Sequence, residues 1–179
     1  MIKKILVFTD LDGTLLDHFT YDTSPADEMI TRLKQDDISI IPNSSKTLSE
    51  ISLIREQLSL TSPFIIENGA AVYIPINYFQ KQPEDTHIDN GFWVKSFCQK
   101  KQHWLSLLEK EKLTDKYNFQ GFSEMSVEQL ADLTGLSHDN AALAKQRQYG
   151  EPLNWLDTEQ AQDELTDRMT ELGANVLQG

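Results

Sequence analysis

The sequence Ile5-Leu6-Val7-Phe8-Thr9-Asp10-Leu11-Asp12-Gly13-Thr14 drives a run of β-forming apolar residues straight into a pair of carboxylates and a glycine. Apolar runs of this length bounded by turn residues read as buried strands of a parallel sheet. In open α/β sheets, ligands collect beyond the carboxyl ends of the strands. Asp10 and Asp12 therefore fall where chemistry is expected, and Gly13 lets the chain turn away tightly. Two acids this close repel unless a cation joins them, which implies a divalent metal held by Asp10 and Asp12. The competing reading is a metal-free turn whose acids face water.

The chain that follows alternates helix and strand. Asp17 to Thr23 reads as a loop. Ser24-Pro25-Ala26-Asp27 predicts a helix start, with Ser24 as N-cap, Pro25 at the first helical position and Met29, Ile30 and Leu33 as the apolar stripe. The helix ends near Asp36-Asp37, and the strand Ile38–Ile41 is stopped by Pro42. Strand, helix, strand in this span is a βαβ unit with parallel strands. The next turn, Asn43-Ser44-Ser45-Lys46-Thr47, opens a helix with Leu48, Ile51, Leu53, Ile54 and Leu58 on its apolar side. Hydroxyls and backbone N–H groups at a helix start suit a phosphate, and Lys46 adds charge. Plain N-capping by Ser44 or Ser45 is the alternative. A third strand, Phe64–Ile66, leads through Glu67-Asn68-Gly69-Ala70 into a hairpin strand, 71–74; Asn68 and Gly69 suit a turn at positive φ.

Residues 77–90 read as a polar loop or linker. Beyond it come a short strand near Phe92-Trp93-Val94, a helix carrying Trp104, Leu105, Leu107 and Leu108, and a non-helical stretch marked by Phe119, Gly121 and Phe122. A helix starting at Ser126-Val127-Glu128-Gln129 stops at Gly135. Ser137-His138-Asp139 caps a helix from Asn140 to about Arg147. Asp157-Thr158 caps a last helix with Ala161, Leu165, Met169 and Leu172, stopped by Gly173, and residues 174–179 read as the start of a strand. His18, His87, His103 and His138 show no ligand spacing and read as surface or packing residues.

The Asp-Leu-Asp-Gly-Thr segment followed by two leucines resembles motif I of the haloacid dehalogenase (HAD) superfamily. Ser44-Ser45-Lys46-Thr47 and Glu67-Asn68-Gly69-Ala70 resemble its mannosyl-3-phosphoglycerate phosphatase-like branch. So does Arg147-Gln148-Tyr149-Gly150-Glu151-Pro152, although the branch usually has Ser or Thr where this chain has Gly150. The resemblance implies an α/β, Rossmann-like HAD core with an inserted α+β C2-type cap. The expected division is 1–76 for the N-terminal part of the core, 77–156 for the cap, and 157–179 for the end of the cap and the return toward the core. It implies Asp10 as phosphate-accepting nucleophile and Asp12 as general acid/base, with both at a Mg²⁺ site. Ser44, with Ser45 as the other choice of register, and Lys46 are then the phosphate ligands. Asn68, Gly69, Arg147 and Glu151 would contact a small phosphorylated sugar or glycerate. For Arg147 and Glu151 the alternative is an exposed helix end followed by an edge strand.

A net charge of -12 argues against nucleic-acid or anionic-membrane partners. Cys98 is the only cysteine, which excludes an internal disulfide and fits a reducing, cytoplasmic setting. The apolar run before Asp10 is too short for a signal peptide, and no stretch is long enough to span a bilayer. Members of the superfamily continue with a lysine motif and a Gly-Asp-x-x-x-Asp-like acidic pair, and no Gly-Asp pair occurs here. The sequence is therefore expected to be either part of a longer phosphatase or a truncated form that binds without turnover; a phosphotransferase or mutase shares the same first motif. An incomplete core sheet would leave a strand edge open to self-association.

Overall fold

The computed structural model describes residues 5–17 and 22–177. His18, Lys4 and the last two residues of the expected terminal strand lie outside them. The chain forms two compact units, Met1–Cys98 and Gln99–Gly179.

In the first unit, β1 (Leu6–Thr9) pairs in parallel with β2 (Ser39–Pro42), register Leu6 to Ser39 through Thr9 to Pro42. Helix α1 (Asp27–Gln35) joins them, so the expected βαβ unit is present. After α2 (Leu48–Gln57) come β3 (Phe64–Ile66), β4 (Ala71–Pro75), β5 (His87–Asp89) and β6 (Phe92–Ser96). These form an antiparallel sheet in the order β3-β4-β6-β5, and a parallel bridge from Asn43 to Ile65 links it to β2. The two strand pairings explain where this unit ends. Residues 92–96 pair along the whole of β4, so the compact division falls at Cys98 and not after Ile76. The stretch 77–90, read as loop, contains β5, whose pairing with β6 gives backbone groups of polar residues a ladder partner.

Apolar residues of α1, β2 and α2 make one cluster: Ile30, Ile40, Leu58 and Leu60 are buried, with Leu33 and Ile54 against them. Met29 and Leu53, expected on the apolar stripes, are exposed. Ser24 is not the cap of α1; it sits inside a short 3-10 turn (Ser24–Ala26), where its N–H and hydroxyl both donate to Asp22. A carboxylate two residues upstream outcompetes the serine for that turn. The second cluster of the unit is aromatic. Phe64 and Tyr73 stack with centroids 5.4 Å apart, and Phe92 stands edge-on to both at 5.3 and 5.7 Å. Arg55 lies buried with its guanidinium 4.2 Å from the Phe64 ring and donates to the Ser62 carbonyl at 2.8 Å. Burial pushes its pKa down to about 10.

The second unit contains α3 (Lys101–Lys112), β7 (Phe119–Gly121), α4 (Val127–Thr134), α5 (His138–Ala144), β8 (Leu153–Trp155) and α6 (Glu159–Glu171). Strands β7 and β8 pair antiparallel, Phe119 opposite Trp155. Leu108, Tyr117, Phe119, Leu165 and Met169 form one small core, and Met125, Leu130, Ala131, Ala141 and Ala144 another. Ser126, Ser137 and Thr158 each accept an N–H three residues on, as N-caps do, and Gly135 ends α4 in the left-handed region at φ 73. Helix α5 stops at Ala144, short of the expected Arg147, and residues 174–177 take no regular structure. His103 stands edge-on to Trp104, and His87 is exposed on β5.

Candidate active site

The carboxyl ends of β1, β2 and β3 are stitched together by backbone hydrogen bonds. Asn43 N–H donates to the Thr9 carbonyl at 2.8 Å, continuing the β1–β2 ladder by one residue. Ser44 N–H donates to Ile65 O at 3.2 Å, Asn68 N–H to Ser44 O at 3.0 Å, and Glu67 N–H to Lys46 O at 3.1 Å. Three segments far apart in sequence thus meet at one end of the sheet, as the strand-end rule requires. Asp10, Asp12, Ser44, Ser45, Lys46, Asn68 and Gly69 all sit on these segments.

Asp10 is exposed at the tip of β1, and its Oδ1 accepts the Leu11 N–H at 2.7 Å. Next, the chain folds back on itself: Thr14 and Leu16 N–H both donate to Leu11 O, at 3.1 and 2.8 Å, and Gly13 supplies a φ of 69 at the bend. Leu11 and Leu16 are buried, so the turn is anchored by apolar residues on either side of Asp12. Asp12 Oδ1 is shielded from solvent and faces the Lys46 ammonium at 2.8 Å. The contact is an ion pair, and no donor among the described residues makes a hydrogen bond to this oxygen.

Helix α2 begins later than the serines. Thr47 is its N-cap: its hydroxyl accepts from Glu50 N–H at 3.2 Å while the Glu50 carboxylate accepts the Thr47 N–H at 2.8 Å. This capping box removes the reading in which Ser44 or Ser45 caps the helix. Ser44 is buried beside the loop and its hydroxyl accepts Lys46 N–H at 3.3 Å, whereas Ser45 is exposed. The turn after β3 runs through three successive left-handed residues, Glu67 (φ 47), Asn68 (φ 59) and Gly69 (φ 89). Glu67 is buried, a feature that the Glu-Asn-Gly-Ala sequence did not signal.

Arg147 and Glu151 lie in the second unit, in the segment before β8. Glu151 is occupied there: Oε1 accepts Ser123 N–H at 2.7 Å and Oε2 the Ser123 hydroxyl at 2.8 Å. Gly121 makes room for it, since a Cβ at that position would stand 2.5 Å from Glu151 Oε1. Lys100, which sequence reasoning passed over, stands at the N-cap position of α3 without a side-chain capping bond, and its ammonium reaches Tyr149 OH at 2.9 Å and Gln148 Oε1 at 3.2 Å.

The sequence pattern of the haloacid dehalogenase-like hydrolases matches residues 7–128, which include the Asp10 turn and the 43–47 loop. The chain belongs to this family. A glucosyl-3-phosphoglycerate/mannosyl-3-phosphoglycerate phosphatase from Persephonella marina is 37% identical over 150 residues, 83% of this chain and 54% of that protein. A phosphatase of the same name from Methanococcoides burtonii is 32% identical over 176 residues, 98% of this chain and 65% of that one. The chain thus spans about half to two thirds of the length of these curated relatives. Among solved structures, a hypothetical protein from Geobacillus kaustophilus matches with TM-score 0.61 at 15% identity, over 94% of this chain and 64% of the other. A haloacid dehalogenase-like hydrolase from B. subtilis matches with TM-score 0.54 at 16% identity, over 92% and 66%. At those identities the likeness concerns the fold, and it agrees with the expected α/β class.

Proposed function

We propose that this chain carries the nucleophile half of a phosphomonoester hydrolase acting on a phosphorylated glyceryl glycoside. The observation that carries the reading is the meeting of Asp10 and Asp12 with the Ser44–Lys46 loop at one end of the sheet. The names of the relatives supply the substrate class, glucosyl- or mannosyl-3-phosphoglycerate.

In this reading Asp10 attacks phosphorus with the carboxylate oxygen that Leu11 N–H does not hold. The bond between phosphorus and the glycerate oxygen breaks as Asp12 donates its proton to the departing alcohol. Water then attacks the aspartyl-phosphate, Asp12 takes the water's proton, and inorganic phosphate leaves with Asp10 restored. The Ser44 and Ser45 hydroxyls orient the phosphate, and Lys46 adds positive charge in a protein of net charge -12. Asn68 and Gly69 border the site; Arg147 offers a planar fork for a carboxylate, and Glu151 contributes by bracing its own segment. The second unit would serve as the cap that selects the leaving group.

The exposed Asp10 carboxylate and the Asp12 carbonyl fit part of a Mg²⁺ site, because hard divalent cations take oxygen ligands. Among the described residues no three acids, histidines or cysteines stand close enough to complete one. Bound there, Mg²⁺ would neutralise charge on the transferring phosphoryl group. A second reading is a module that binds the phosphorylated ligand through the same Ser44–Lys46 loop without consuming it. A lone cysteine and a phosphorylated metabolite suit the cytoplasm, and no helix among the described residues is long and apolar enough to cross a membrane.

The test is release of inorganic phosphate from mannosyl-3-phosphoglycerate with Mg²⁺ present. Turnover that disappears in Asp10→Asn supports the hydrolase. Calorimetric binding of the ester without any release, by a protein that carries this chain at the full length of its relatives, supports the module instead, and absence of both overturns the phosphate-site reading.

A further inference from the structure

We propose that Lys46 is the positioning residue for Asp12, so that its main contribution to catalysis runs through that carboxylate and not through its own contact with phosphate. The inference rests on Asp12 being the acid/base of the reaction above. Lys46 is 9% exposed, and a lysine this buried is costly unless its charge is met. Its ammonium meets Asp12 Oδ1 at 2.8 Å. That oxygen is itself shielded from solvent and has no hydrogen-bond donor aligned on it, so the Lys46 charge is what compensates its burial. Asp12's side chain as a whole remains 33% exposed. One face of the carboxylate is therefore turned inward to Lys46, and the exposed remainder is the part an approaching alcohol or water can reach.

The geometry of Lys46 is set by its backbone. Its N–H donates to Ser44 Oγ, its carbonyl accepts Glu67 N–H, and the next residue is the N-cap of α2. The lysine thus emerges from a segment fixed by helix capping and by the turn after β3, and reaches across to a tight turn whose backbone bonds to Leu11 O do not involve the Asp12 side chain. An aspartate on such a turn can occupy several χ1 wells. An ion pair to a fixed, buried ammonium selects one of them. General acid–base catalysis needs the proton-carrying oxygen within hydrogen-bond reach of the leaving group, so selection of that rotamer is a rate effect and not a binding effect.

A double-mutant cycle on the full chain with Mg²⁺ and mannosyl-3-phosphoglycerate tests this. Lys46→Met is expected to lower kcat on the order of tenfold or more, as residues in contact couple. KM and inhibition by inorganic phosphate should stay within about twofold, and Lys46→Met should slow Asp12→Asn by no more than about twofold. Additive losses, or a rise in KM together with weaker phosphate inhibition, would overturn the assignment. A second readout needs no turnover. The Hα–Hβ couplings of Asp12 should report one χ1 rotamer in the parent chain and rotamer averaging in Lys46→Met, and Asp12→Asn should displace the Lys46 ammonium resonance. A parent chain with no activity and no phosphate binding sinks the function above, while unchanged couplings and an unmoved ammonium resonance sink the role of Lys46.

Discussion

At the scale of single residues, the 43–47 loop separates duties that its sequence leaves merged. Four consecutive polar residues could each cap a helix, bind phosphate or carry charge. The fold gives capping to Thr47, through its box with Glu50. Thr47→Ala is expected to cost about 1 kcal/mol of stability, measured as a fall in the urea midpoint at unchanged m-value. The spacing of Thr47 and Glu50 has the form of a capping box, yet the sequence reading offers Ser44 or Ser45 as the cap, because neighbouring hydroxyls compete for that place. The Asp12–Lys46 pair was not legible, since nothing local relates a turn after β1 to the loop after β2; only the parallel register of those strands brings them together. Burial of Glu67 was illegible for the same reason, because it depends on backbone bonds to the Ser44–Lys46 segment.

At the scale of elements, strongly marked helices were readable and weakly marked strands were not. The starts of α4 and α6, with Ser126 and Thr158 as caps, followed from side-chain chemistry local to each turn. Strand β5 carries His87 and Asp89 and shows no apolar run; its existence is decided by β6, which it pairs with. The end of α3 and the turn after β7 are joined by Lys112, whose ammonium donates to Glu124 Oε1 at 2.6 Å. That hydrogen bond, helped by Gly121 N–H, holds the Glu124 carboxyl below its usual pKa against a smaller desolvation effect. A depressed folded-state pKa contributes stability above the unfolded value near 4.5, and that contribution is lost as pH falls through the folded value. The stability gap between the parent chain and Lys112→Met should therefore narrow between about pH 6 and about pH 3. A gap that stays constant or widens on acidification would show that the pair does not carry this linkage.

At the scale of the whole molecule, β1 combines the most diagnostic sequence with exposed apolar side chains. Ile5, Leu6 and Phe8 are 59%, 50% and 60% exposed, although the apolar run read as a fully buried strand. Among the described residues β2 alone pairs with β1, so one edge of this strand presents unpaired backbone groups beside apolar side chains. Such edges associate. Sedimentation velocity is expected to show concentration-dependent self-association that Phe8→Lys suppresses; a monodisperse monomer at all concentrations would contradict this. The net charge of -12 opposes that association at low salt, so added salt should strengthen it.

The claim on which the account turns is that Asp10 itself carries the phosphoryl group. Quenching turnover of mannosyl-3-phosphoglycerate with borohydride, which reduces an acyl-phosphate, and mapping peptides by mass tests it directly. The account predicts a reduction-dependent mass change confined to residue 10 and absent in Asp10→Asn. Phosphate release at the full rate with no label at residue 10, or with the label on another residue, would contradict it.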